Sequence, residues 1–300
     1  MPKRKNRKSS WKKLFLILLI LILASLLLVG WWLIRANQVW SGVEQISLGV
    51  ETANRDSLLI TVTPAKDMVV VVRVPSSTMI DTPWYGSYQV GKLSLLADQE
   101  NDKDIYARSL SYYLGLPVDI GMMRTNLKVD NLSQVSLRKS LRNLLFPPKN
   151  ITNWRLWRFL NKSDLVWQII DLEDYGQSEK LADGSEIYRI EPEKIDEQFW
   201  TYFSDPVIKK EGLTLSVFNV GERSGLANKI ISIPENIGIR VVEVAGLDAE
   251  VEGCTINLSH QDQKGTYSVQ RLSQILGCSI EVGIKKGFGD IELLIENVKI

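Results

Sequence analysis

Hydrophobic and polar residues are arranged in three ways along this 300-residue chain: one continuous apolar run, runs of strand length, and helical stripes. The continuous run, residues 14–34, contains no charged residue. As a helix rising about 1.5 Å per residue, it would cover the roughly 30 Å hydrocarbon core of a bilayer. A buried helix of a soluble protein would carry a polar stripe, and the apolar core of a signal peptide is only about 7–15 residues long. The run therefore predicts one transmembrane helix that is not cleaved.

The flanks of this run predict its orientation. Seven Lys and Arg residues precede it, whereas Arg35 alone follows closely. Because cationic flanks stay in the cytoplasm, we expect a single-pass plasma-membrane protein with a cytoplasmic N-terminus and extracytoplasmic domains from Ala36 onward. Trp31 and Trp32 stand at the far end of the run, where aromatic rings mark the membrane interface. The competing interpretation is that the basic run binds nucleic acid or directs nuclear localisation. Because the run is joined directly to the predicted span, a role in setting membrane orientation and in binding anionic lipid is favoured.

Residues 36–52 read as a connector, after which strand and helix patterns alternate. Residues 56–63 and the valine-rich residues 68–74 predict a pair of strands, the second buried on both faces. Residues 75–86, rich in Pro, Ser and Gly, predict a loop. Helical spacing predicts helices over residues 102–114, 135–146 and 153–160.

The helix at residues 153–160 leaves two interpretations open. Trp154, Trp157 and Leu160 share one face, and Arg155 and Arg158 lie off it. This face either packs on the sheet, or forms the wall of an apolar pocket or a membrane-surface contact.

A second unit begins after a polar stretch and a boundary near residues 205–212. Its order is strand, helix, strand, then strand, helix, strand, strand, which predicts an α/β sandwich of a small sheet with helices. Pro234 must kink its first helix or start a new turn, and Gly238 suits the position just after the helix end. The predicted strands are residues 213–218, 239–244, 254–259, 279–282 and 290–296.

Composition excludes several kinds of chemistry. The part beyond the basic tail keeps 29 of the 36 Lys and Arg residues against 35 Asp and Glu, a formal charge of about −6, so nucleic acid is not an expected partner. The single histidine, His260, leaves too few ligands for zinc and no Ser-His-Asp triad. Cys254 and Cys278 begin two predicted strands outside the membrane, so we predict a disulfide; two small buried thiols are the alternative.

Three stretches together resemble the opening of a LytR-CpsA-Psr domain: RDSLLITVTP (residues 55–64), VVRVPSSTMIDTPWYG (residues 71–86) and LGLPVD (residues 114–119). The resemblance implies a bacterial envelope protein of a family that transfers glycopolymers from a polyprenyl-pyrophosphate carrier to wall acceptors. Family members have one N-terminal span and an α/β domain with an apolar pocket, pyrophosphate-binding arginines and a divalent metal. Asp56 matches the family's acidic residue and is the candidate metal ligand.

One departure bears on chemistry. Where the family has Pro-Arg-Asp-Thr, this chain has Pro75-Ser76-Ser77-Thr78. The family's Lys-Ile-Asn-Ala loop has no clear counterpart in this sequence, and residues 88–93 (YQVGKL), which include Lys92, stand in that region. A guanidinium is the natural partner of a pyrophosphate, so the substitution predicts loss of catalysis.

The second unit resembles the LytR C-terminal domain through VFNVG (residues 217–221), SGLA (residues 224–227) and GDIE (residues 289–292). The predicted fold class is therefore α/β throughout, after the N-terminal transmembrane helix. The predicted organisation is a tail and span at residues 1–35, a divergent LytR-CpsA-Psr-like domain at 36–208, and the C-terminal domain at 212–298. A dinucleotide loop after residue 219 is disfavoured by its spacing.

Three functions follow as hypotheses. The first is a non-catalytic envelope module that binds polyprenyl-linked glycan, peptidoglycan or an envelope protein, without a cofactor. The second is an active phosphotransferase that uses Asp56 with Mg²⁺ and arginines such as Arg73 or Arg124. The third is a structural adaptor at the lipid bilayer, without a ligand.

Overall fold

The computed structural model describes residues 15–21, 25, 40–83, 85–127, 133–146, 151–182, 184, 186–190, 200–220, 230–248 and 253–296. Within these ranges, no helix is both long and apolar enough to span a membrane. The predicted span at residues 14–34 lies largely outside the described residues, and Trp31 and Trp32 lie wholly outside them.

Between residues 40 and 190, the described part of the chain forms a first half with nine strands, four α-helices and three short 3₁₀ helices. The strands are β1 (Ile46–Glu51), β2 (Ser57–Thr63), β3 (Met68–Val74), β4 (Met79–Thr82), β5 (Gly86–Gln89), β6 (Ile120–Arg124), β7 (Val166–Asp171), β8 (Gly176–Lys180) and β9 (Glu186–Ile190). The helices are α1 (Leu93–Gln99), α2 (Asp104–Leu114), α3 (Gln134–Leu145) and α4 (Ile151–Leu160).

Five of these strands form one mixed sheet in the order β6-β1-β2-β3-β7. The central strands β1, β2 and β3 are antiparallel, while β6 runs parallel to β1 and β7 runs parallel to β3. The predicted pairing of residues 56–63 with 68–74 is confirmed as β2 and β3. Residues 36–52 were expected to be a connector, and this expectation was wrong, because β1 lies inside the sheet between β2 and β6.

Helices cover both faces of this sheet. On one face, Leu58, Ile60 and Val71 pack with leucines of α3 and α4. On the other face, Val70 and Val72 pack with residues of α2. All five of these strand residues are essentially inaccessible to solvent, which confirms the two-sided burial predicted from the valine run.

Two other sequence expectations are corrected here. Residues 75–86 were expected to be a loop, but they contain β4 and the start of β5, which pair as a short antiparallel hairpin. In α4 the buried side is formed by Leu156, Phe159 and Leu160, whereas Trp154 is 41% exposed. The stripe of Leu156, Phe159 and Leu160 has the i, i+3, i+4 spacing of a core-facing helix.

The second half contains α5 (Pro206–Glu211), β10 (Thr214–Asn219), α6 (Ser232–Ile237), β11 (Arg240–Gly246), β12 (Cys254–Leu258), α7 (Tyr267–Leu276), β13 (Ser279–Val282) and β14 (Ile291–Ile295). Its strands form a second sheet in the order β11-β10-β14-β12-β13. Helix α6 ends at Gly238, whose φ of 107° is left-handed, as expected. Ile208 of α5 belongs to the core of this half.

A buried ion pair joins the two halves. Arg271 of α7 donates from Nη1 and Nη2 to the two carboxylate oxygens of Asp119, at 2.5 and 2.8 Å. The backbone N–H of Ser47 also donates to Asp119, at 2.8 Å. Nearby, Gly115 has a φ of 62°, and a Cβ there would lie 2.5 Å from Oγ of Ser232. The halves therefore meet too closely at this point for any residue except glycine.

Candidate functional site at the carboxyl end of the first sheet

Strand register brings charged residues from five strands to one end of the first sheet. Glu51 pairs with Arg124 across β1 and β6, and Arg73 pairs with Asp171 across β3 and β7. Asp56 immediately precedes β2, whose first residue is opposite Glu51. Since β1, β3, β6 and β7 all end here, this edge is where ligands commonly bind in α/β sheets. We call these five residues, with Glu173 and Asp98, the charged end.

Arg73 lies at the centre of three carboxylates. Its Nε donates to Asp56 at 3.0 Å, and its Nη1 donates to Asp171 at 2.7 Å and to Glu173 at 2.6 Å. Burial lowers the pKa of Arg73, but the hydrogen bonds to Asp171 and Glu173 and the charge of Asp56 more than offset this, so the net pKa is raised. The guanidinium is therefore held in its charged form with its donors directed at carboxylates.

Asp56, the candidate metal ligand, is buried and has partners on both carboxylate oxygens. Arg73 donates to Oδ2, and the backbone N–H of Ser76 donates to Oδ1 at 2.7 Å. Within the described part of the chain, no three His, Cys, Asp or Glu side chains are grouped to hold a metal ion. A divalent cation at Asp56 would have to displace Arg73, so this donor set does not fit the family's metal.

The segment that replaces the family's arginine motif packs closely against a turn. The N–H of Gly91 donates to the carbonyl of Ser76 at 2.9 Å. A Cβ added to Gly91 would lie 2.9 Å from Cβ of Ser76. Ser76 thus contributes backbone groups to the charged end, with no cation for a phosphate.

Arg124 forms the more open part of the charged end. It donates to Glu51 at 3.0 Å and to Asp98 at 2.8 Å, and its side chain is 55% exposed. The hydrogen bonds to Asp98 and Glu51 raise the pKa of Arg124. Ser94 donates to the other oxygen of Glu51 at 2.6 Å.

A groove of about 550 Å³ lies beside Arg124. Residues 125–127 form one wall, and α3 contributes the other through Ser136, Ser140, Asn143 and Leu144. Leu127 and Leu144 give the groove an apolar part next to a half-exposed guanidinium. A ligand with a phosphate head and an apolar tail has the complementary chemistry.

The structure joins Cys254 and Cys278 in a disulfide, with their Cα atoms 4.7 Å apart. Of the arginines proposed from sequence, Arg73 and Arg124 both reach the charged end. The carboxylates Asp171 and Glu173 were missed, because they lie about 100 residues from Arg73 in the chain. The available signal was Arg73 itself, since a cation inside a buried strand requires counter-charges.

No protein-family model matches this chain, and no curated protein matches it. Among solved structures, the similar chains include TagT of B. subtilis, at 11% identity and a TM-score of 0.38, covering 53% of this chain and 89% of that chain. TagT, described as a LytR-CPS2A-psr family protein, has also been solved with bound octaprenyl pyrophosphate lipid. TagU of B. subtilis gives 10% identity and a TM-score of 0.33, covering 50% of this chain and 91% of that chain. The structural neighbours thus include LytR-CpsA-Psr proteins, at low identity and partial coverage.

Proposed function

We propose that this chain is a membrane-anchored protein of the bacterial cell envelope that binds a polyprenyl-linked glycan and does not transfer it. Residues 14–34 would be its single span, and the domains after it would be extracytoplasmic. The first domain would be a divergent LytR-CpsA-Psr domain and the second a relative of the LytR C-terminal domain. The uncharged run at residues 14–34 supports the span, and the sequence resemblances support the order of the two domains.

The observation that carries the non-catalytic proposal is the pairing of charges at the charged end. Phosphoryl transfer needs cations directed at the pyrophosphate, where negative charge develops. Arg73 instead binds three carboxylates, and Asp56 accepts from Arg73 and Ser76. The groups that would assist transfer thus neutralise one another.

Binding can persist without transfer because the groove beside Arg124 remains open. Arg124 is half-exposed and binds Glu51 and Asp98 through Nε and Nη2, which leaves Nη1 without a partner among the described residues and able to reach a phosphate. Leu127 and Leu144 can contact a prenyl chain. The octaprenyl pyrophosphate bound to TagT is a ligand of this chemistry. Peptidoglycan and an envelope protein are the alternative partners of a non-catalytic module.

Transfer and binding are tested together on the full-length chain in lipid nanodiscs. A polyprenyl-pyrophosphate-linked glycan is added with a peptidoglycan acceptor and Mg²⁺. We expect no release of polyprenyl phosphate above a protein-free control, together with saturable binding of the lipid-linked glycan. Arg124→Gln should weaken this binding about tenfold, as expected for loss of a charge-assisted contact worth about 1.5 kcal/mol.

Arg189→Gln is the matched control, because Arg189 is also an exposed arginine paired with one carboxylate, Glu179. It should bind as the unmodified chain does. Metal-dependent turnover that disappears in Asp56→Ala would overturn the proposal in favour of the phosphotransferase. Absence of any saturable binding would overturn it in favour of a ligand-free adaptor.

A further inference from the structure

The helices α3 and α4 lie in the most basic part of the extracytoplasmic chain. Residues 131–163 contain seven Lys and Arg and no Asp or Glu. The rest of the chain beyond the basic tail has 22 Lys and Arg against 35 Asp and Glu. Positive charge is therefore concentrated in one supersecondary unit of an otherwise acidic protein.

The two helices form an antiparallel hairpin with one side on the sheet. Near the start of α3, Arg138 donates to the carbonyl of Leu160 at the end of α4. At the other end, the rings of Phe146 and Trp157 are 5.9 Å apart. Because the leucines of both helices are buried against the sheet, their opposite sides form one outward surface.

This outward surface combines exposed apolar side chains with cations. On α3, Val135, Lys139 and Arg142 follow the spacing of a single helical face, and Phe146 is the extended residue just after the helix. Val135 is 77% and Phe146 61% exposed. On α4, the guanidinium of Arg158 lies 5.5 Å from the centre of the exposed Trp154 ring. We call these six residues the hairpin surface.

The cations of the hairpin surface are not neutralised within the described residues. No described carboxylate forms an ion pair with Lys139, Arg142 or Arg158. The exposed Lys162, just beyond α4, differs because it pairs with Asp67. Three free cations beside an exposed tryptophan and phenylalanine are complementary to an anionic interface with an apolar interior.

The hairpin also contacts Trp40, the first residue that the structure describes after residue 25. Nη1 of Arg155 in α4 donates to the carbonyl of Trp40 at 2.7 Å. If residues 14–34 span the membrane, the six residues from 35 to 40 can extend at most about 20 Å. This step rests on the proposed anchor, and it keeps the hairpin within reach of the bilayer.

We infer that the hairpin surface docks on the outer face of the bilayer by binding anionic phospholipid headgroups, with Trp154 and Phe146 at the interface. The docking orients the first domain relative to the membrane. It also places the groove beside Arg124, one wall of which is α3, next to the lipid surface. A polyprenyl chain could then enter that groove without crossing bulk water.

Hydrogen–deuterium exchange of the full-length chain in two kinds of nanodisc tests this docking. One kind contains phosphatidylcholine alone, and the other contains phosphatidylcholine with phosphatidylglycerol. We expect peptides that cover α3 and α4 to exchange more slowly in the anionic discs, and this difference to decrease with added salt. The triple variant Lys139→Gln, Arg142→Gln, Arg158→Gln should reduce the docking equilibrium about a hundredfold, at roughly fivefold per cation.

The control is a second triple variant, Lys209→Gln, Lys210→Gln, Lys264→Gln, which removes three exposed lysines elsewhere. It should retain the slow exchange of the hairpin. Equal exchange of the hairpin in both discs, or the same protection in both triple variants, would overturn the inference. Flotation of the chain with liposomes after alkaline carbonate tests the anchor separately. If the chain floats but the hairpin is not protected from exchange, only the docking is contradicted. If the chain does not float, the proposed span is contradicted.

Discussion

Two arginines, Arg271 and Arg73, show how the same side chain serves different purposes in this protein. Arg271 is buried, with 6% of its side chain exposed, and faces one carboxylate, Asp119, through two parallel hydrogen bonds. Arg73 retains 14% exposure and is shared by Asp56, Asp171 and Glu173. The first pair is balanced in charge, whereas the second cluster has two more carboxylates than cations.

The difference separates a structural joint between the two halves from a partly exposed charge cluster at the end of the first sheet. A buried one-to-one pair fixes the geometry of the two halves, and removal of either partner leaves an uncompensated charge. In a partly open cluster, a carboxylate that loses its cation can be hydrated by water. Each member therefore contributes less to the free energy of unfolding. The two excess carboxylates around Arg73 disfavour an added phosphate, which is the basis of our proposal that this cluster does not assist transfer.

The largest effect is expected from Arg271→Met, which leaves Asp119 buried without its cation. We expect a loss of about 3–5 kcal/mol in the free energy of unfolding, measured by urea denaturation of the full-length chain in detergent. The double variant Arg271→Met, Asp119→Leu should recover part of this loss, because only the N–H of Ser47 then lacks its partner. If Arg271→Met were as stable as the unmodified chain, the structural role assigned to Arg271 would be contradicted.

The disulfide bears on the same joint, because Cys278 lies two residues beyond the end of α7, the helix that carries Arg271. Replacement of Cys254 and Cys278 by alanine should cost about 3 kcal/mol, since the bond closes a loop between residues 24 apart. Mass spectrometry of non-reduced protein should show the loss of two hydrogens. Two freely alkylated thiols in protein kept from reductant would contradict the bond.

Arg73→Met tests the other side of the comparison. We expect a smaller loss of about 1–3 kcal/mol, because Asp56 keeps its hydrogen bond from Ser76 and the exposed Glu173 can be hydrated. The free energy of unfolding of Arg73→Lys should lie between those of Arg73→Met and the unmodified chain. The lysine ammonium keeps the positive charge but lacks the forked donor geometry of the guanidinium. A loss as large as that of Arg271→Met would mean that Arg73 is a structural residue of the same kind.

Arg124→Gln is expected to have the smallest effect on stability, below about 1 kcal/mol, because its side chain is half-exposed and its ion pairs are screened. The loss should shrink further in high salt. A salt-independent loss well above this value would show that the pair with buried Glu51 behaves like the Arg271 joint.

Much of the fold could be predicted from local pattern. The valine run predicted β3, and helical spacing predicted α2, which the structure ends at Gly115 with a left-handed φ of 62°. The strand β1 was missed although Ile46, Leu48 and Val50 alternate. Its Gly49 looks like a loop residue, yet a Cβ there would lie 3.0 Å from the Tyr106 ring, so the glycine serves packing.

The candidate site was less predictable because its contacts are distant in sequence. Asp56, Arg73 and Arg124 were identified as chemically important residues, but nothing local indicated that Arg73 would bind Asp171 and Glu173. The orientation of α4 was misjudged for another reason. The spacing grouped Trp154 with Leu160 and left open whether this face packs on the sheet, whereas the buried stripe passes through Leu156 and Phe159.

Arg73 supplies the positive charge beside Asp56, so we expect this carboxylate to hold no divalent metal. Titration of the full-length chain in phosphatidylcholine nanodiscs with Mn²⁺, followed by electron paramagnetic resonance, tests this directly. We expect the same Mn²⁺ binding curve for the unmodified chain and for Asp56→Asn. A saturable Mn²⁺ site that is present in the unmodified chain and lost in Asp56→Asn would contradict it.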